Sequence, residues 1–313
     1  MNINVITTFG YSVIRLSTPL IFAALSAAIC EKAGLFNMAV ESMMLWGAIM
    51  GVIVSGYTQS AFLGFLAAIV VGIVVGEVIS FATVKGKADL MLAQIAVNLA
   101  SVGGTIFLLF ALTGEKSNSA VAINSLAMPT VNIPLIKSIP IIGPIVSGHN
   151  ILTYLAFLVT YLMYLLMKKT KIGAHICAVG ENPNAAESVG ISTTKLYYLS
   201  WGIAGLLGGM GGAFMSMGYL TSFTKNMVSG RGYIGLCASS MVGGSPVGSM
   251  LCAMLFGVAD AASNSLQLTN APTDIVLMLP YVATIVGMIA ISAAKANKMK
   301  KKISEKLNET AKA

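Results

Sequence analysis

Charge is scarce in this chain of 313 residues: only 10% are Asp, Glu, Lys or Arg, against about 25% in a typical soluble domain. Hydrophobic residues make up 56%, and the mean hydropathy is +0.84. A single water-soluble globular domain is excluded on that balance. Histidine is limited to His149 and His175. The four cysteines, Cys30, Cys177, Cys237 and Cys252, have neither metal-site spacing nor a disulfide pattern, so they read as small packing residues. No H-E-x-x-H, no nucleophile elbow and no G-x-x-x-x-G-K-[ST] phosphate loop occurs. Catalytic residues, metal ligands and a cofactor site are therefore not expected, and any energy that drives this protein has to come from outside the chain.

What the chain does have is apolar length. A hydrocarbon core of about 30 Å needs about 20 apolar residues in a helix, and such runs recur at about 11–30, 38–57, 61–84, 90–113, 149–167, 198–220, 248–266 and 275–294, with a shorter piece at 233–243. The expected fold is an all-α polytopic membrane protein with about eight to nine transmembrane helices, one domain over 1–313. The first twenty residues lack the basic start and small-residue cleavage site of a removable signal peptide, so the first span is expected to be retained.

The net charge of +8 sits between apolar runs and in the tail 295–313, as the positive-inside rule predicts, and does not indicate a nucleic-acid partner. Lys32, Lys85, Lys87, Lys168, Lys169, Lys171, Lys195 and the lysines of the tail fall on one side. Lys116, Lys137, Lys225, Arg231 and Arg15 fall on the other. The first side is then cytoplasmic, which puts the N-terminus outside and the C-terminus inside. Between the fourth and fifth spans, about 114–148, prolines 129, 134, 140 and 144 predict a structured external loop.

Two stretches break the pattern of straight spans. In 229 SGRGYIGLCASSMVGGSPVGSM 250 a short apolar piece runs into Gly243, Gly244, Ser245 and Pro246, which predicts at least one broken or re-entrant helix. Irregular backbone at membrane depth is tolerated only where it is buried in protein or lines a watery cavity. In 30 CEKAGLFNMAVES 42, polar residues interrupt an otherwise overlong apolar region. Glu41, Glu77, Gln94, Asn98, Asp260 and Asn264 lie inside apolar runs. Buried groups of this kind either line a pathway or hold helices together. Gln94 and Asn98, four apart on one helix face, are the candidate pathway residues; the carboxylates fit scaffold better. Gly205, Gly208, Gly209 and Gly212 have the small-xxx-small spacing of closely packed membrane helices.

Between two apolar runs sits the polar stretch 180 GENPNAAESVGIST 193. Asn182 can cap a helix, Pro183 suits its first position and Gly190 can close it in a left-handed conformation. A helix of about two turns is unstable alone, so flanking spans or a partner have to hold it.

The segments 31 EKAGLFNMAVESMML 45, 179 VGENPNAAESVGIS 192 and 230 GRGYIGLCASSMVGGSPVGSMLCAMLFG 257 resemble, in order and over nearly the full chain, the motifs of inner-membrane permease subunits of ABC importers for simple sugars and nucleosides. The likeness is strongest to the smaller permease of the nucleoside-type systems. Ser42 departs from the pattern, where glycine is common. The resemblance implies a nucleoside translocation pathway, with a ribose-like sugar as the alternative substrate, in the cell membrane. It also implies a cytoplasmic ATP-binding subunit that holds ATP and Mg, a second homologous permease and an extracytoplasmic substrate-binding protein. In that reading about 168–197 is the coupling segment, and Glu181, Asn182, Pro183, Ala186 and Gly190 contact the ATPase. An ion-coupled secondary transporter working through Glu41, Glu77 or Asp260 is the competing class.

Overall fold

The computed structural model describes residues 3–132, 142–267, 276, 278–290 and 293. The described residues form helices α1 (Ile3–Lys32), α2 (Val40–Thr58), α3 (Ala61–Ser80), α4 (Leu90–Thr113), α5 (Ile142–Val146), α6 (Ile151–Lys169), α7 (Lys171–Glu181), α8 (Pro183–Ser188), α9 (Thr193–Ala213), α10 (Arg231–Met241), α11 (Pro246–Gln267) and α12 (Met278–Ala290). Wider π-helical turns extend α3 through Phe81–Lys85 and α9 through Phe214–Tyr219. Six helices are long and apolar enough to cross a bilayer: Val5–Lys32, Val40–Thr58, Ala61–Lys85, Leu90–Thr113, Ile151–Lys169 and Pro246–Gln267. The chain is a multi-pass, all-α membrane protein. The other expected spans coincide with the glycine-rich α9, the short α10 and α12; the tail 295–313 and residues 133–141 of the proline-rich segment lie outside the described residues.

α1 is the spine, enclosed by α9, α10 and α11, with 83% of its most apolar stretch buried, whereas α4 stands at the periphery with 17%. The glycines of α9 explain how α2 and α3 approach so closely. A Cβ on Gly205 would stand 2.2 Å from the Gly72 carbonyl oxygen, and one on Gly212 would stand 2.0 Å from that of Met44. Backbone therefore meets backbone, the contact that small residues allow in lipid.

The interruptions fall where the polar and glycine residues lie. After α1 the chain folds back at 33–39, so that the Asn37 amide reaches the Ser26 carbonyl oxygen at 3.4 Å and α2 begins well inside the level of Lys32. The second break puts Gly243 and Gly244 at φ +65 and +69 between α10 and α11. α10 runs alongside α1, with Gly235 against Ala23 and Gly244 against Ala28. Its 11 residues extend only about 16 Å, too short to cross a bilayer of about 30 Å. α11 then returns, with Gly257 against Ser17. At the end opposite the lysine-rich one, Ser119 N–H donates to the Phe223 carbonyl at 2.9 Å and Met128 N–H to that of Met217 at 2.9 Å, so the described part of the proline-rich segment is an ordered cap on the bundle.

Candidate functional site

Two places in the bundle combine polar chemistry with irregular backbone: the lysine-rich end at α7–α8, and the depth at which α2 and α10 begin.

At the lysine-rich end α8 is delimited at both ends by its own sequence. The Asn182 side chain accepts from Ala185 N–H at 3.1 Å, and Pro183 occupies the first turn. At the other end Gly190 has φ +82. Ile191 N–H reaches the Ala186 carbonyl at 3.0 Å and Gly190 N–H that of Glu187 at 2.9 Å, the paired bonds of a Schellman closure. Glu187 also accepts from the Thr193 hydroxyl at the start of α9. Of the five sequence-predicted contact residues, Glu181, Asn182, Pro183 and Gly190 are exposed; Ala186 is 4% exposed and faces the chain, so it anchors the helix. The outward apolar group is Val189, 75% exposed, which sequence reasoning passed over.

The preceding helix ties α8 to the core. Gly180, near the end of α7, lies against Lys32 and Gly34 so closely that a Cβ there would stand 2.2 Å from the Lys32 carbonyl oxygen. The same turn is gripped from α4. Gln94 Oε1 accepts from Met38 N–H and, at 3.2 Å, from Ala39 N–H, while its amide donates to the Phe36 carbonyl at 2.8 Å. Ala39 is the N-cap of α2, and its N–H also reaches Asn37 Oδ1 at 3.1 Å, so the glutamine braces from another element the turn that leads into that helix. One turn further, the Asn98 amide donates to the Met38 carbonyl at 3.0 Å and to the Tyr233 hydroxyl at 3.2 Å. Asn98 Oδ1 is buried with no partner among the described residues.

α10 is capped by α2. Glu41 Oε1 accepts from Gly230 N–H at 2.8 Å and Oε2 from Gly232 N–H at 2.9 Å. A carboxylate on the positive end of a helix dipole is a stabilising arrangement, and both oxygens are occupied by it. Asp260 pairs with Arg231 at 3.7 Å. Glu77 lies beside Gly202 at the α3–α9 contact. Asn264 borders two hollows, one of about 710 Å³ beside Arg15 and Tyr219 and one of about 210 Å³ beside Arg231 and Asp260. Among the described residues no group of three or more His, Cys, Asp or Glu could hold a metal.

The arrangement is a chain of short contacts from an exposed, capped helix, through the 33–39 turn, to the N-terminal ends of two interrupted helices inside the membrane. It holds no reactive constellation; it can pass a displacement.

Residues 11–288 match the family described as branched-chain amino acid transport system / permease component. The chain is 30% identical over 307 residues to the nucleoside ABC transporter permease protein NupC of Lactococcus lactis subsp. cremoris, covering 94% of this chain and 95% of that one. It is 28% identical over 296 residues to the guanosine ABC transporter permease protein NupQ of Bacillus subtilis, covering 90% and 92%. To the putative glucose ABC transporter permease protein TsgC13 of Haloferax volcanii it is 30% identical over 280 residues, covering 88% and 84%. With its motifs, fold and almost full-length match in agreement, the chain belongs to the branched-chain amino acid transport system permease component family.

Proposed function

We propose that this chain is the membrane-spanning permease of an ATP-binding cassette importer and forms the translocation pathway for a nucleoside in the cell membrane. The observation that carries the reading is the near end-to-end likeness to relatives named as nucleoside and guanosine permeases. A glucose-permease relative at the same 30% identity as NupC keeps a simple sugar as the second reading.

On this proposal the lysine-rich end is cytoplasmic, the N-terminus is outside and the C-terminus inside. α8 with Glu181, Asn182, Pro183, Gly190 and the exposed Val189 docks on a cytoplasmic ATP-binding subunit, which binds ATP and Mg. A second homologous permease completes the pathway, and an extracytoplasmic binding protein delivers substrate. Movement of α8 reaches the 33–39 turn through Gly180, and Gln94 and Asn98 carry it to the starts of α2 and α10. In this scheme Gln94 positions backbone and Asn98 borders the pathway.

The test is uptake of labelled guanosine, uridine and ribose by cells with and without this chain at matched ATP levels. Loss of nucleoside uptake alone supports the reading, and loss of ribose uptake alone replaces the substrate. Uptake that survives deletion of the ATPase and collapses with a protonophore would replace the transporter class with an ion-coupled one.

A further inference from the structure

One face of α10 is polar and, among the described residues, partly open. Tyr233, Cys237 and Ser240 follow one another at i, i+4 and i+7 and so share a stripe of the helix. Tyr233 is 39% exposed, and Cys237 and Ser240 are partly exposed, while Ile234, Leu236, Ala238 and Met241 on the other sides are buried. The stripe extends about 10 Å. It begins at the level of Glu41 and Ala23 and runs toward the lysine-rich end, so it lies at membrane depth.

Hydrocarbon cannot satisfy these groups. The Tyr233 hydroxyl accepts the Asn98 amide, and its own proton has no acceptor among the described residues. Among the described residues the Ser240 hydroxyl has no hydrogen-bond partner. An interrupted helix with open polar groups at this depth belongs beside a watery cavity, and substrate sites near the bilayer midplane are typically built at such helix ends.

We infer that this stripe lines the substrate path and that Tyr233 is its base-recognising residue. The ring offers a stacking face to a nucleobase, and the hydroxyl, oriented by Asn98, donates to a base carbonyl oxygen. The inference rests on the nucleoside reading above and adds to it the atom that discriminates: carbonyl-bearing bases such as guanine are favoured over adenine, which presents an amino group instead. Asn98 is then a positioning residue, acting through the tyrosine.

Cys237 provides a native reporter for the path. In the assembled transporter in lipid nanodiscs, a water-soluble methanethiosulfonate is expected to modify Cys237, read by mass spectrometry of its peptide, and guanosine is expected to slow the modification severalfold. In cells, Tyr233→Phe is expected to lower the guanosine-to-adenosine uptake ratio roughly tenfold, the loss of one hydrogen bond. Tyr233→Ala is expected to depress uptake of both, because stacking is removed as well. An unreactive Cys237 would mean that the second permease or lipid covers the stripe, and would overturn the path. Modification at the same rate with and without guanosine would overturn it too. Nucleoside uptake with an unchanged ratio in Tyr233→Phe overturns the role of Tyr233 alone. Absence of nucleoside uptake by the unaltered protein overturns the nucleoside reading and this assignment with it. Should Tyr233→Phe fail to assemble, guanosine protection of Cys237 decides.

Discussion

Gly180 and Gly34 touch through their backbones. A Cβ on Gly34 would stand 3.0 Å from the Gly180 Cα, and Gly34 is itself at φ +75. Both positions need glycine, one for space and the other for conformation as well. No flexible side chain intervenes between α7 and the 33–39 turn, so displacement of one is passed to the other with little slack.

Gly180→Ala is therefore expected to force the two segments apart. Overpacking of this kind costs about 1–3 kcal/mol, and 1.4 kcal/mol is about tenfold in an equilibrium. Uptake should fall by roughly that factor or more, while the complex with the ATPase still assembles and still hydrolyses ATP. The ratio of substrate imported to ATP hydrolysed is the measurement. An unchanged ratio would remove the Gly180 contact from the coupling route.

Asn182→Ala combined with Gly190→Ala addresses the stiffness of α8. The first change removes the bond to Ala185 N–H, worth about 1 kcal/mol. The second places a side chain at φ +82, which costs about 1–2 kcal/mol. Since neither residue packs into the core, insertion and expression should be unaffected. Hydrolysis and uptake should part company, as shown by ATPase activity that no longer responds to substrate delivery.

The spans could be read from the sequence because hydropathic length is a local property, and so could the caps of α8: Asn182, Pro183 and Gly190 act within a few residues of themselves. The shared face of Gln94 and Asn98 was legible for the same reason. What they bond to was not. Gln94 reaches a position 55 residues away and Asn98 one 135 away, and Glu41 caps a helix 189 residues later. Helix periodicity carries no information about such partners. The stripe of Tyr233, Cys237 and Ser240 left a faint signal, hydroxyl and thiol groups at helical spacing within 229–250, and its meaning emerged only once the buried faces of α10 were known. Ala186 shows the converse: its place in a motif did not reveal that it faces inward.

Glu41→Gln tests whether that carboxylate is scaffold. The carboxylate occupies Gly230 N–H and Gly232 N–H with separate oxygens; an amide has one acceptor oxygen and would turn a donor toward the other N–H. One buried N–H is left open, at about 1–3 kcal/mol. Thermal melting of the purified complex should shift down, and uptake should fall in proportion to the folded fraction. If instead melting is unchanged while uptake becomes independent of an ion gradient, Glu41 carries protons and the coupling scheme changes.

His149 gives the end opposite the lysine-rich one a pH dependence. The ring is 1% exposed, stacks on Tyr11 at 4.1 Å between ring centres, meets Tyr154 edge-on and bonds through Nε2 to the Ile145 carbonyl at 2.8 Å. Burial pushes its pKa below the ordinary 6.5; the Arg15 charge acts in the same direction, and the Ile145 carbonyl partly opposes them. The folded protein thus takes up this proton less readily than the unfolded chain does. Above pH 6.5 neither state is protonated and the group has no effect on stability. As pH falls below 6.5, the unfolded chain binds the proton first, and stability declines until the folded-state pKa is passed. Melting temperature measured from pH 7.5 to 5 should therefore fall more steeply in the natural protein than in His149→Phe, which keeps the stack on Tyr11 and cannot titrate. Parallel curves for the two would assign the acid sensitivity elsewhere.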